Sequence, residues 1–337
     1  MGKIEIKPPF PYFGGKSTVA DIVWERFGDT YNYIEPFAGS LAVLLNRPHW
    51  PWVDNRIETV NDKDCYIANF WRATKHDPEA VAEWCDWPVN EADLTARHTW
   101  LVDAGQKQID KVKSDPDYYD AKVAGWWCWG LCQWIGSGWC RRLANQLPHL
   151  GGTGRGVHRH TQQRPHLGNA GMGVHRPTQQ LPSLGNAGRG VLRTNQNLID
   201  YFNLLKDRLK SVRVTCGDWS RITKPALLSI GPTAVFLDPP YSKEAGRTEI
   251  IYSQEDLSVA HKCREWAIEH GTTVRIALCG LEPEHDLPED WECIAWKSTG
   301  GIRRKEGGRG VKNSELERIW FSPHCLRPKA KRKGLLY

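Results

Sequence analysis

The sequence predicts an α/β domain with a largely parallel sheet, built from the two ends of the chain and split by a long insertion. Three observations lead there. Short β-rich runs near both ends alternate with helical patterns, an Asp-Pro-Pro-Tyr string directly follows one such run, and the middle of the chain is a Gly/Arg/His-rich repeat array with no core-forming pattern.

Near the N-terminus, YNYIEPF (31–37) reads as a strand, Leu41 to Asn46 as the start of a helix, and ETVND (58–62) as a second strand. The polar stretches 64–86 and 91–113, with apolar positions such as Ile67, Phe70, Trp71, Leu94, Trp100 and Leu101, read as helices. WWCWGLCQWIGSGWCRR (126–142) reads as a folded, rigid platform whose indoles belong to the core before they belong to a binding surface. VRVTC (212–216), TAVFLD (233–238) and TVRIALC (273–279) are three further strands. Between the last two, 254–270 carries Leu257, Ala260, Cys263 and Ala267 at helical spacing.

Residues 146–197 hold three copies of one unit with a period of 17, in register at Leu150, Leu167 and Leu184, and again at Arg159, Arg176 and Arg193. With about two apolar side chains per unit, the copies cannot build a solenoid core and read as a surface insertion. From Arg141 to Asn197 there are eight arginines, five histidines and no acid, so the net charge of +6 is local and the rest of the chain sums to −2 (6 − 8). That composition suits phosphate contact better than an idle tether, and the arginines at 155, 159, 176, 189 and 193 are the expected DNA-binding residues: Arg155, Arg159, Arg176, Arg189 and Arg193. The loop 301–312 (GIRRKEGGRGVK) and the tail 327–333 (RPKAKRK) are further basic candidates.

A chain of 337 residues with 40% apolar and 25% charged residues can bury a sizeable core as one large domain with an insertion. No run approaches the length of a membrane span, and MGKIEIKPPF has no hydrophobic signal region, so the expected place is the cytoplasm. The ten scattered cysteines are expected as reduced thiols. Cys128, Cys132 and Cys140 with His149 do not match paired zinc-ligand spacing, and no metal is expected.

Asp238-Pro239-Pro240-Tyr241 sits at the carboxyl end of an apolar run, where open α/β sheets place their ligands. Two prolines remove two N–H donors and leave carbonyls, so Asp238 and the Pro239 carbonyl form a pair of acceptors beside an aromatic ring. Such a pair suits an exocyclic amino group on a flat heterocycle: accepting both N–H bonds favours a tetrahedral nitrogen with its lone pair aimed at an electrophile. Tyr241 is placed to stack on the base, and a base within a duplex must first be flipped out.

With these residues the chain resembles the N6-adenine DNA methyltransferases of the DNA adenine methylase family. PYFGGK (11–16) resembles the family's amino-terminal motif, EPFAGS (35–40) its cofactor-loop motif, DPPY (238–241) its catalytic motif, and VNDKD (60–64) and CGDW (216–219) two shorter acidic motifs. The resemblance spans 8–70 and 205–330, and the repeats resemble additions found in some phage-encoded members. It implies a Rossmann-like S-adenosylmethionine-dependent methyltransferase sheet formed by residues 1–71 and 198–326, an inserted DNA-recognition region at 72–197, and a basic tail at 327–337. It also implies S-adenosylmethionine as cofactor and double-stranded DNA as partner, with no membrane and no obligatory protein partner.

Residue by residue, Gly39 would let the backbone approach the cofactor within the loop of Glu35, Pro36, Phe37 and Ser40. Asp62 would accept the ribose hydroxyls, Lys16 would pair with the methionine carboxylate with Tyr12 beside it, and Asp218 would face the cofactor's adenine amino group. Taken singly, Lys16 reads as a surface lysine and Asp62 or Asp218 as a helix cap; the joint order of the motifs carries the assignment. Two rival readings stay open: methylation of the N4 amino group of cytosine, and a non-catalytic DNA-binding protein on a methylase scaffold.

Overall fold

The computed structural model describes residues 6–12, 15–51, 56–88, 91–134, 139–140, 195–241, 258–282, 284–296 and 316–328. The repeats, with all five arginines named above, lie outside the described residues, as do loop 301–312 and most of the basic tail.

Seven strands form one sheet: β1 (Asn32–Glu35), β2 (Ile57–Asp62), β3 (Val212–Cys216), β4 (Thr233–Leu237), β5 (Arg275–Leu281), β6 (Glu292–Ala295) and β7 (Glu317–Phe321), in the order β3-β2-β1-β4-β5-β7-β6. The pairings from β3 across to β5 are parallel, while β7 runs antiparallel to both β5 and β6. The chain thus moves outward from β1 through β2 to β3 and returns to the other side of β1 as β4. The carboxyl ends of β1 and β4 therefore flank a topological switch point, the place where an open α/β sheet leaves a crevice.

Strands β1 and β4 are buried on both faces, and this explains the near-continuous apolar run of β4. Side chains alternate between two cores: Tyr33, Ala234, Phe236 and Ala277 face one, and Ile34, Val235, Leu237 and Ile276 face the other. The second core is closed by α10 (Val259–His270) through Val259, Cys263 and Ala267, with the short α9 (Pro225–Leu228) beside it. On the first face lie α1 (Ala20–Phe27), the one-turn α2 (Ala42–Leu45), α3 (Cys65–His76), α4 (Pro78–Cys85), α7 (Ala121–Gln133) and α8 (Asn195–Leu209).

Two of the expected helices are subdivided. The stretch 64–86 breaks at Asp77, whose non-helical backbone and side-chain acceptor cap α4 while Pro78 opens it at a position where no N–H is needed. The stretch 91–113 is α5 (Glu91–Trp100), a π-turn at Leu101–Gly105, α6 (Gln106–Ile109) and a 3-10 turn at Asp110–Lys113. The boundary drawn between residues 71 and 72 falls inside α3, a helix capped by Asp64 and continuous to His76. In the platform, Trp127 and Trp129 of α7 are buried, and Gly125 lets α7 approach α4 so closely that a Cβ there would stand 2.2 Å from the Trp84 Cβ.

The two ends of the chain are tied together in the interior. Arg208 of α8 forks onto both oxygens of Glu58 on β2 at 2.7 and 2.8 Å, and Arg47, just after α2, reaches Glu58 at 3.0 Å. The remaining guanidinium contacts go to the carbonyls of Leu44 and Thr30, so this buried charge is hydrogen-bonded from several sides.

Candidate active site

The β1–α2 turn forms the floor of the site. Ala38 donates to the Asn61 carbonyl at 2.8 Å, and Gly39 (φ +45°) donates to the Asp62 carboxylate at 3.1 Å. A Cβ on Gly39 would stand 2.8 Å from the Tyr12 ring, so both the backbone angle and the packing demand glycine there. Leu41 also holds a left-handed backbone, φ +54°, to start α2. Asn61 binds the neighbouring strand ends together, donating to the carbonyls of Pro36 at 3.1 Å and Gly217 at 3.0 Å.

Around this floor opens a cleft at the carboxyl ends of β1, β2 and β4. All nine residues named for the cofactor line it: Tyr12, Lys16, Glu35, Pro36, Phe37, Gly39, Ser40, Asp62 and Asp218. Asp238 and Pro240 line it from β4, whereas Pro239 and Tyr241 do not. The sequence reading missed Asn61, Lys63, Asp64, Trp219 and Phe236 in this wall. Of these, Trp219 had a readable signal in its place directly after Asp218, and its ring stacks against Phe37 with centroids 6.3 Å apart.

Lys16 is held differently from its expected pairing. Its ammonium lies 2.9 Å from the Asp238 carboxylate, with Lys16 4% and Asp238 22% exposed, so both line the cleft and the aspartate is the more open of the two. Burial on its own would drive the Lys16 pKa down, but Asp238, Cys279 and Glu317 reverse this and raise it above the usual value. For Asp238, burial raises the pKa and Lys16 opposes the rise.

Glu35, Asp62 and Asp218 are held by hydroxyl and backbone donors. Glu35 accepts from the Tyr33 hydroxyl at 2.8 Å, and burial pushes its pKa up to about 8. Asp62 accepts from the backbone of Gly39 and Asp64, and burial, with Asp64 nearby, pushes it up to about 7. Asp218 caps the 3-10 turn Trp219–Ile222 through Ser220, and that hydrogen bonding holds its pKa below the usual carboxylate range.

The donor set suits S-adenosylmethionine. Five carboxylates (Glu35, Asp62, Asp64, Asp218 and Asp238) against Lys16 and Lys63 give a wall fit for a ligand with a sulfonium, an ammonium and several hydroxyl and amino donors. Gly39, where a side chain would collide with Tyr12, leaves backbone exposed at the floor.

Among the described residues no helix is long and apolar enough to cross a membrane. No curated protein matches the chain as a relative. Residues 12–121, from Tyr12 through β1, β2 and α3 to the start of α7, match the D12 class N6 adenine-specific DNA methyltransferases. The match contains the Gly39 floor and Asp62, and the sheet joins it to the Asp238 corner, which lies beyond the matched residues. The matched third of the chain is thus similar to a D12 class N6 adenine-specific DNA methyltransferase domain, a family that methylates adenine N6 in DNA.

Proposed function

We propose that the cleft binds S-adenosylmethionine and that the Asp238–Pro239 corner presents the flipped adenine of double-stranded DNA to it. The observation that supports this most is the meeting of the Gly39 loop with Asp238 at the β1/β4 switch point, in one cleft. Glu35, Asp62 and Asp218 hold the cofactor's polar groups, and Phe37 and Trp219 offer it aromatic faces. S-adenosylmethionine, when bound, supplies a methyl group on positively charged sulfur.

Asp238 accepts one N–H of the adenine amino group and the Pro239 carbonyl accepts the other, which localises the nitrogen lone pair for attack. Lys16 keeps Asp238 in its carboxylate form against the cost of burial. Asp238 thereby positions and polarises the amino group; it need not remove a proton before the new N–C bond forms.

Incubation of the protein with unmethylated plasmid DNA and methyl-labelled cofactor, followed by digestion to nucleosides, should place label in N6-methyladenine. Label in N4-methylcytosine would move the reading to cytosine, and the absence of label would favour a binding protein. Asp238→Ala should lower kcat by at least about a thousandfold while cofactor Kd changes by less than about threefold. Retained turnover would remove Asp238 from the chemistry.

We further propose that Arg155, Arg159, Arg176, Arg189 and Arg193 contact DNA phosphates, on the strength of an acid-free basic segment. Replacing all five with glutamine should weaken DNA binding and flatten its dependence on salt; an unchanged salt slope would make the repeats a spacer.

A further inference from the structure

The phenol of Tyr241 donates a 2.6 Å hydrogen bond to Oε2 of Glu317. Glu317 is the first residue of β7, the strand that runs against its neighbours, where it pairs in register with Leu281 of β5 and is 7% exposed. Lys16 joins the two: its ammonium stands 5.8 Å from the Tyr241 ring centroid and 5.3 Å from that of Trp296, and the Glu317 charge helps to keep it protonated. A second carboxylate thus reaches the Asp-Pro-Pro-Tyr corner from a strand that neither the cofactor loop nor the DPPY segment belongs to.

A buried carboxylate is expensive unless its partners hold it well, and Glu317 is held by the Tyr241 hydroxyl and the field of Lys16. A tyrosine gripped at its hydroxyl has the long axis of its ring fixed at both ends, by the main chain on one side and by the hydrogen bond on the other. We propose that Glu317 is a positioning residue for methyl transfer, clamping Tyr241 so that its ring meets the target base in one orientation. This rests on the role given above to the Asp238–Tyr241 corner. An orientation error at that ring slows the chemical step without touching cofactor binding.

The test is single-turnover methylation of unmethylated plasmid DNA, with cofactor Kd measured in parallel, for wild type, Glu317→Ala, Glu317→Gln, Tyr241→Phe and the combination of Glu317→Ala with Tyr241→Phe. Loss of a hydrogen bond to a charged partner should slow transfer about tenfold in Glu317→Ala and in Tyr241→Phe, with cofactor Kd within about twofold of wild type. Glu317→Gln, whose amide oxygen still accepts the phenol, should stay within about threefold of wild type. The combined variant should be no slower than the slower single one, because both changes break the same bond.

Multiplying effects, a Gln variant as slow as the Ala variant, or Tyr241→Phe at the wild-type rate would each overturn the clamp. The Tyr241→Phe arm stands even where Glu317→Ala does not fold. Asp238→Ala separates the two levels. If it stays active, the reading of the corner fails; if it is inactive while every Glu317 variant runs at the wild-type rate, the clamp alone fails.

Discussion

Glu58 on β2 and Glu35 on β1 are equally hidden from water, yet the protein treats them in opposite ways. Glu58 receives two guanidiniums, Arg208 in a fork and Arg47 alongside. Glu35 is given the Tyr33 hydroxyl and a backbone N–H from Leu44, and its pKa climbs to about 8. Burial of an acid is therefore not what marks the site in this sheet. Glu58 meets two guanidiniums and ties β2 to α8, whereas Glu35 lines the cleft and holds its proton to a higher pH than an ordinary carboxyl.

The largest effect should come from the compensated acid. Glu58→Gln removes the charge on which Arg47 and Arg208 converge and should destabilise the protein by about 3–5 kcal/mol in urea unfolding. A loss below about 1 kcal/mol would mean that the triad is no better matched than Glu35.

Glu35→Gln should act in the other direction. The folded pKa of Glu35 is about 8 against an ordinary 4.5, so the folded state prefers the proton. The stability associated with that proton is complete below pH 4.5 and is lost as pH rises through 8. The glutamine variant should therefore be more stable than wild type at pH 9, with the difference shrinking as pH falls to 5, while binding cofactor at least about tenfold more weakly. Equal stability at pH 9 would show that Glu35 is compensated after all.

Cofactor affinity itself should follow the same acids. A cationic ligand favours ionised Glu35 and Asp62, whose free pKa values are about 8 and about 7. Kd measured by calorimetry should fall as pH rises from about 6 to 9, and Asp62→Asn should flatten the lower part of that profile. A flat wild-type profile would detach both acids from the cofactor. The smallest effect is expected from Gly39→Ala: its φ of +45° and the 2.8 Å approach to Tyr12 strain the floor without altering charge. Cofactor affinity should drop about fivefold.

The strands that were legible in the sequence are those whose burial makes a continuous apolar run, such as TAVFL in β4 and RIALCGL in β5. Strand β6 alternates half-buried and exposed residues over only four positions, an edge pattern too short to stand out, and β7 was likewise overlooked. The helical period runs across Asp77, so the break there was hidden although Asp-Pro is itself a start signal. In the site, the local strings around Gly39, Asp62 and Asp238 were readable because each motif is contiguous. Partnerships across strands are not readable from contiguous strings: Lys16 meets Asp238, and Asn61 and Glu317 act through atoms contributed by distant segments.

α7 and α8 pack on the same two helices, α3 and α4. The chain therefore departs after Gln133 and returns at Asn195 to a single foundation. Lengthening a connection between two anchored points adds little free energy, about 0.6 kcal/mol for each doubling. Unequal recombination in the tandem coding sequence can then add or delete a 17-residue copy at almost no cost to the enzyme beneath. If the repeats contact phosphates as proposed, copy number is an evolutionary dial for the grip on nucleic acid, turned without retuning the chemistry.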